Sequence, residues 1–365
     1  MVRRRAEGFG HKPVLLLLHG AGSSAAIFRI QTHFLAKALS PYFDLVYVDA
    51  PLRSAPGPGI LPYFQGMEAY YRWFGAGIEK SMMAGNSSAG AVANQNEKSD
   101  FLSPGGNGSA TRHTLSTDRK NRRGSSGRPQ EAGGRGASPA AATINAAASL
   151  GLNLFPRGNM DGLSRGVMDL LDISNQSIPS QLAAQGVRSR DVVGVVGFSQ
   201  GALAALGLLG LEMAIGSPAW SNLRFCVTMG AATGGGAAQA AVAGMMAAAN
   251  LLGNLKNNRS EENAEQQSSC FPGHTVHVIG RRDPWVGDSR QIAEMCHPQR
   301  TRVVEFEGGH WVPREKGDIS RVVDLILEVE LDSRRRGADD SSSSSEDEAE
   351  VEVLTRRRES ISLEA

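Results

Sequence analysis

The chain has few cysteines, few aromatic residues and no long apolar run. Its three cysteines, Cys226, Cys270 and Cys296, are far apart and form no CxxC pair, which argues against a disulfide framework and a cysteine metal site. No window approaches the roughly 20 apolar residues that span a bilayer, and the run from Val14 to Leu18 is too short for a signal-peptide core. We therefore expect a protein of a reducing compartment, in the cytoplasm and secondarily in the nucleus.

An excess of charge of either sign is also missing. The 365 residues include 38 Lys plus Arg and 37 Asp plus Glu, a net charge of +1, so the whole protein has no electrostatic reason to bind nucleic acid or an anionic membrane. The motifs GxxxxGKS and HExxH are absent, and no GxGxxG opens a helix after a strand. We expect no metal and no organic cofactor, and a small molecule as the partner.

Short apolar runs alternate with segments of helical periodicity. Continuous apolar runs of this length are typical of strands buried on both faces of a parallel sheet. The predicted strands span residues 14–18, 43–48, 192–196, 225–229, 275–279 and 302–306, and the predicted helices 30–39, 202–215, 289–295 and 319–330. Strand alternating with helix predicts an α/β fold, a mostly parallel sheet with helices on both faces.

Three segments interrupt this pattern. Residues 82–160 are rich in Gly, Ser, Ala and Asn, with many arginines between residues 112 and 135, and residues 234–267 are Ala- and Gly-rich and then polar. After residue 331 the chain carries a serine run and an acidic stretch, which predicts a disordered tail over 332–365. We expect an N-terminal tail over 1–12 and a single domain over 13–331, interrupted by a disordered, low-complexity insertion at about 82–160.

The strongest chemical signal is the stretch from Val192 to Ala202, where an apolar strand runs into Gly197-Phe-Ser-Gln-Gly201 and then an apolar helix. GxSxG at a strand-to-helix turn is typical of a nucleophile elbow, which presents a serine hydroxyl at the carboxyl end of a strand. The chain has 43 glycines, so GxSxG alone is weak evidence, and the flanking strand and helix carry the interpretation. Ser199 is the predicted nucleophile.

Acyl transfer by a serine also requires backbone N–H groups directed at the developing oxyanion. The residue after the nucleophile, Gln200, supplies one. The small-residue turn after the first strand, from His19 to Gly22, supplies the second, for which we choose Ala21. The alternative is that this turn only packs.

The general base should follow the nucleophile in the order Ser, Asp, His. His310 lies in a glycine loop just past the last predicted strand, and this predicts that it takes the Ser199 proton and returns it to the leaving group. Asp283, after the strand 275–279, is the predicted acid that orients the imidazole. Asp288 is the competitor, and its alternative role is as a helix N-cap before Ser289.

Placed together, these residues resemble the fungal FSH family, whose name stands for family of serine hydrolases. The similarity covers residues 14–80 and 165–330. It rests on Leu18-His-Gly-Ala-Gly, Ile27-Phe-Arg-Ile-Gln31, Val48-Asp-Ala-Pro51, Pro56-Gly-Pro-Gly-Ile-Leu-Pro62, Tyr70-Tyr-Arg-Trp73, Gly197-Phe-Ser-Gln-Gly-Ala202, Asp283-Pro and Gly309-His310.

The resemblance implies an α/β-hydrolase fold and a triad of Ser199, Asp283 and His310. It implies a cofactor-free esterase or thioesterase, some of whose relatives release thioester-bound products from fungal polyketide synthases, so that a carrier-protein-bound acyl chain is one expected substrate. The long insertion and the expanded segment after Met229 depart from the family pattern. Aromatic residues including Tyr70 and Trp73 either line an acyl pocket or pack inside the fold.

The sequence therefore predicts hydrolysis of a carboxylic ester or thioester through an acyl-serine intermediate. A peptidase or lactone hydrolase with the same triad is one alternative. A catalytically silent α/β-hydrolase that binds a small molecule or a protein is another, because fold does not guarantee activity. A third is a scaffold in which the basic insertion and the acidic tail bind partners.

Overall fold

The computed structural model describes residues 12–75, 169–232 and 270–340, together with Gly166, Val242 and Met246. The insertion predicted at 82–160 lies outside the described residues, as does most of 234–267. The centre of the fold is a six-stranded sheet in the order β2-β1-β5-β6-β7-β8, with every neighbouring pair parallel. Its strands are β1 Val14–Leu18, β2 Asp44–Val48, β5 Val192–Phe198, β6 Phe225–Met229, β7 His274–Gly280 and β8 Thr301–Phe306.

All six predicted strands are present, and their ends differ from the prediction by two residues at most. Every residue of β1, β5, β6 and β7 is buried, as expected of strands covered on both faces. The predicted parallel α/β architecture is confirmed.

Helices cover both faces of this sheet. They are α1 Ala25–Gln31, α2 His33–Leu39, α3 Ile178–Ala184, α4 Gln200–Ile215, α5 Val286–Glu294 and α6 Lys316–Asp340. Phe28 of α1, Leu35 of α2 and Ile326 of α6 share one apolar cluster with alternate side chains of the strands. The helix α4 lies against β5 and β6, and its side chains are not part of that cluster.

The predicted helix over 30–39 is wrong in its bounds, because two short helices occupy residues 25–39. They are separated at Thr32, which has φ −94° and ψ 7°. The Thr32 hydroxyl donates to the Phe28 carbonyl at 2.7 Å and lies 2.8 Å from the Tyr47 hydroxyl. A side chain that bonds back to the preceding turn in this way bends a helix.

A two-stranded antiparallel sheet was not predicted. It pairs β3, Leu52–Ser54, with β4, Tyr70–Arg72. Backbone bonds join β4 to the loop after β1, from Gly22 N–H to the Tyr71 carbonyl at 2.8 Å and from Tyr71 N–H to the Ser23 carbonyl at 2.7 Å. This small sheet therefore braces the loop that follows β1.

The C-terminal helix is longer than expected. The prediction placed the start of a disordered tail at residue 332, but α6 continues to Asp340. Asp332 accepts a bond from Arg302 at 2.9 Å, and the buried Ser333 donates to the Glu330 carbonyl at 2.7 Å. These contacts hold the helix past the predicted boundary. Across the described ranges, no helix combines the length and the apolar character that crossing a membrane would require.

Candidate active site

The turn between β5 and α4 holds Ser199 in an unusual backbone conformation. Ser199 has φ 54° and ψ −120°, a region that non-glycine residues rarely enter and that concentrates at functional sites. A Cβ on Gly197 would lie 2.1 Å from the Gly201 carbonyl oxygen, and one on Gly201 would lie 2.4 Å from the Leu18 carbonyl oxygen. Both glycines of the motif are therefore required by close backbone approach, and the local geometry is that of a nucleophile elbow.

His310 and Asp283 form a hydrogen-bonded pair at the same edge of the sheet. His310 Nδ1–H donates to Asp283 Oδ2 at 2.8 Å. The other carboxylate oxygen, Oδ1, accepts from the Trp285 N–H at 2.8 Å. Asp283 is buried and His310 is partly exposed. The carboxylate is thus fixed on both oxygens and selects the imidazole tautomer whose Nε2 can accept a proton.

Two aromatic rings contact the His310 imidazole. The Phe198 ring centroid lies 4.8 Å from that of His310, and the Trp285 ring centroid lies 4.5 Å away in an edge-to-face arrangement. Phe198 directly precedes Ser199, so this contact brings the histidine to the elbow. The sequence does not mark Phe198 or Trp285 as site residues, because no motif distinguishes an aromatic ring at the site from one in the core.

Gly230 is a further site residue that the sequence analysis missed. It follows β6 with φ +51°, and a Cβ there would lie 3.1 Å from Asp283 Oδ2 and 3.2 Å from His310 Nδ1. A side chain at this position would crowd the bond between the two residues. A glycine directly after a buried strand, at the edge where the nucleophile lies, was the available signal.

The loop after β1 lies beside the elbow. A Cβ on Gly20 would lie 3.2 Å from the Ser199 Cβ, so the backbone that carries Ala21 passes next to the serine. Gln200 is the first residue of α4, and the first N–H groups of a helix have no partner within it. Both predicted oxyanion donors are therefore on backbone segments that border Ser199.

His19, at the start of this loop, has a structural role. Its Nδ1–H donates to the Gly20 carbonyl at 2.7 Å, and its Nε2 accepts from the Ala50 N–H at 3.0 Å. Burial lowers the pKa of His19 to about 4, which keeps the ring neutral and its Nε2 an acceptor. The ring therefore links the carboxyl ends of β1 and β2.

Tyr70 and Trp73 lie inside the fold. Tyr70 is 6% exposed and Trp73 is 0% exposed, and the Trp73 indole N–H donates to the His19 carbonyl at 2.7 Å. Tyr70 and Trp73 therefore offer little or no surface to a substrate, which favours the alternative that they pack inside the fold.

Neither Asp288, the competing acid, nor the buried His277 takes part in the His310–Asp283 hydrogen bond. Asp288 is in the first turn of α5, and His310 pairs with Asp283 instead. His277 is buried between the hydroxyls of Thr228 and Thr275. Within the described part of the chain, no group of three His, Cys, Asp or Glu side chains has the arrangement of a metal site.

Comparison with known proteins assigns the family. The family model described as serine hydrolase (FSH1) matches residues 9–102 and 154–322. The chain belongs to this family. The match omits residues 103–153, which lie within the predicted insertion, and it includes Ser199, Asp283 and His310.

Fungal esterases and thioesterases are similar to this FSH-family chain. The thioesterase FSL2 of Gibberella zeae is 25% identical over 87% of this chain and 92% of its own length. The esterase mlcF of Penicillium citrinum is 57% identical over 17% of this chain and 25% of its own length. A dihydromonacolin L-[lovastatin nonaketide synthase] thioesterase of Aspergillus terreus is 55% identical over 16% of this chain and 23% of its own length. The chain thus spans about a quarter of the length of the relatives that it matches at more than half identity.

Among solved structures, the chain is similar to acyl-protein thioesterase 2 of Zea mays, with 15% identity, a TM-score of 0.40 and coverage of 89% of this chain and 96% of the other. The esterase PE8 gives 14% identity and a TM-score of 0.39, with coverage of 87% and 93%.

Proposed function

We propose that this FSH-family protein hydrolyses a carboxylic ester or thioester through an acyl-serine intermediate, with Ser199 as nucleophile, His310 as general base and Asp283 as the orienting acid. The observation that carries the proposal is the strained Ser199 backbone, φ 54° and ψ −120°, beside a histidine that already donates to a buried carboxylate at 2.8 Å. Strain of this kind persists only where the surrounding structure fixes it.

The proposed reaction proceeds in two halves. Ser199 Oγ attacks the acyl carbon while His310 Nε2 takes the hydroxyl proton, and Asp283 stabilises the resulting imidazolium without taking a proton itself. The N–H groups of Ala21 and Gln200 bind the oxyanion of the tetrahedral intermediate. His310 returns the proton to the leaving alcohol or thiol, and water then repeats the cycle on the acyl-serine.

The relatives supply the proposed substrate class. Thioesterases and esterases are named among them, including a dihydromonacolin L-[lovastatin nonaketide synthase] thioesterase. We propose that the acyl group reaches this protein as an ester or as a thioester on a carrier protein, in secondary metabolism. The proposed location is the cytoplasm, on the sequence grounds given above.

Fluorophosphonate labelling tests the nucleophile and the base. We expect the wild-type protein to be labelled, and Ser199→Ala and His310→Ala to lose labelling. The exposed Ser40 and His33 provide matched controls, because Ser40→Ala and His33→Ala remove the same groups away from the elbow and should label as wild type does. A folded wild-type protein that is not labelled would contradict the hydrolase proposal and favour a silent binding module.

A substrate panel tests the leaving group. We expect turnover of p-nitrophenyl esters and of N-acetylcysteamine thioesters matched in acyl chain, each abolished in Ser199→Ala. A protein that is labelled by the fluorophosphonate but cleaves neither series, and instead cleaves peptides or lactones, would contradict the proposed substrate class while leaving the triad intact.

A further inference from the structure

The Gln200 side chain is turned into the protein, away from solvent. Gln200 is 0% exposed, and its Oε1 accepts from the backbone N–H of Trp73 at 2.8 Å. The residue whose own N–H is a proposed oxyanion donor is therefore bonded through its side chain to the segment that follows β4.

Trp73 extends this connection to the other proposed donor. Its fully buried indole donates from Nε1 to the His19 carbonyl at 2.7 Å, two residues before Ala21. On the far side of Ala21, β4 exchanges backbone bonds with Gly22 and Ser23 through Tyr71. The segment 71–73 thus holds the Ala21 loop both before and after the proposed donor.

The distance between the two proposed donor N–H groups affects the rate of the proposed reaction. Both N–H groups must lie about 2.7–3.1 Å from one oxyanion position, yet they belong to loops after different strands, β1 and β5. From these contacts we infer that Gln200 and Trp73 are positioning residues, a pair of side-chain bonds that fixes the Ala21 loop against the elbow. We call the bonds Gln200 Oε1 to Trp73 N–H and Trp73 Nε1–H to His19 O the oxyanion clamp. The inference rests on the proposed function.

Core packing alone does not account for an amide at this position. In the described part of the chain, Gln200 Nε2 is buried and has no hydrogen-bond partner, and an unsatisfied buried donor costs about 1–3 kcal/mol. Methionine would fill a similar volume without that cost. A glutamine retained here is consistent with a requirement for its acceptor oxygen.

The test compares Gln200→Met and Trp73→Phe with Trp220→Phe. Trp220 is a matched control because its indole is also buried and donates to a backbone carbonyl, that of Ser174, at 3.1 Å, beyond the end of α4 that is remote from Ser199. We would measure kcat and KM on p-nitrophenyl butyrate, and the inhibition constant of a trifluoromethyl ketone, which forms an oxyanionic adduct with the nucleophilic serine.

Removing one oxyanion donor outright costs about 10²–10³ in kcat, so displacing a donor should cost less. For each clamp variant we expect kcat to fall by about tenfold with KM unchanged, and trifluoromethyl ketone affinity to fall by the same factor. The double variant should be no slower than the slower single one, because both changes break the same link. Trp220→Phe should match wild type in all three quantities.

Two results would overturn the inference. One is a clamp variant that is folded and as active as Trp220→Phe. The other is a fall in kcat without any loss of trifluoromethyl ketone affinity, since that pattern indicates general loosening and not a displaced donor. Failure of the proposed function is distinguishable, because in that case the wild-type protein itself neither reacts with a fluorophosphonate nor hydrolyses the ester.

Discussion

At the scale of single residues, the pair of His310 and Asp283 depends on an adjacent position without a side chain. Gly230 has a left-handed backbone and approaches both partners of the bond closely. Gly186, after α3, has φ +74° with open space around its Cα. Replacing each glycine by alanine therefore distinguishes backbone strain, which both positions share, from crowding at the site, which only Gly230 has.

We expect Gly230→Ala and Gly186→Ala each to lower the free energy of unfolding by about 1 kcal/mol, because alanine is strained at positive φ. Only Gly230→Ala should also lower kcat, by about tenfold, because its methyl group presses on the His310–Asp283 bond, and about 1.4 kcal/mol of barrier is a factor of ten. Urea denaturation and ester hydrolysis provide the two measurements. Equal activity of the two variants would show that the bond tolerates the crowding.

The two candidate acids are also separable by substitution. Asp283→Asn should lower kcat by roughly 10⁴, as loss of the orienting carboxylate does in a serine triad. Asp288→Asn should remain close to wild type, because Asp283 is the carboxylate bonded to His310. Steady-state kinetics on one ester decides between them, and the reverse ranking would restore Asp288 as the acid.

At the scale of elements, a hydrogen bond joins the end of the first described segment to the start of the second. The Gly75 N–H donates to Asp169 Oδ2 at 3.2 Å, so the chain leaves the first described segment and enters the second at neighbouring points. Residues 103–153, which the family model omits, lie between them. The fold on either side of this region therefore does not need a long connection to bring its two ends together.

Replacing residues 103–153 by a short Gly-Ser linker should leave the hydrolase folded and labelled by a fluorophosphonate. Halving the length of a connection lowers the entropic cost of loop closure by only about 0.6 kcal/mol, so the free energy of unfolding should be unchanged or slightly higher. A variant of equal length with a scrambled 103–153 sequence is the control. Loss of labelling in the shortened protein alone would show that the length of this connection is required, and loss in both variants would show that its sequence is required.

The main elements were predictable because each buried strand has a continuous apolar run, as in β1 and β5. The elbow was predictable because its motif lies at a strand-to-helix turn. The two-stranded sheet of β3 and β4 was not predictable, because strands of three residues are too short to show an alternating pattern. The break at Thr32 and the continuation of α6 past residue 331 were missed because they depend on individual side-chain hydrogen bonds, which no sequence period reveals. The Gln200 side chain could not be assigned a role, since its partner Trp73 is 127 residues away.

At the scale of the whole molecule, the buried side chains of His19, His277 and Glu212 link folding to pH. Burial lowers the pKa values of His19 and His277 to about 4 and raises that of Glu212 to about 7. The histidines are neutral in the fold, so their contribution to stability is present above pH 6.5 and is lost as pH falls toward 4. Glu212 acts in the opposite direction, because its contribution is present below about pH 4.5 and is lost as pH rises through 7.

Between pH 7 and pH 5, the titration of each histidine should lower the free energy of unfolding by about 2 kcal/mol, and that of Glu212 should raise it by about 2 kcal/mol. Glu212→Gln removes the restoring part while keeping an acceptor for the Ser174 hydroxyl. The variant should therefore lose about 4 kcal/mol over this range, against about 2 kcal/mol for the wild-type protein. Urea denaturation at the two pH values measures both, and parallel losses would contradict the assignment to Glu212.

The strand order also determines where a substrate can lie. From β1 the chain moves outward to β2, and from β5 it moves the other way through β6, β7 and β8, so β1 and β5 flank the point where the winding reverses. A crevice opens outside the carboxyl ends of the strands at such a topological switch point. Ala21 and Gln200 follow the two strands that border it. The crevice arises from the order of the strands, so substitutions along its walls can alter the proposed acyl specificity while the backbone that carries the two proposed oxyanion donors stays the same.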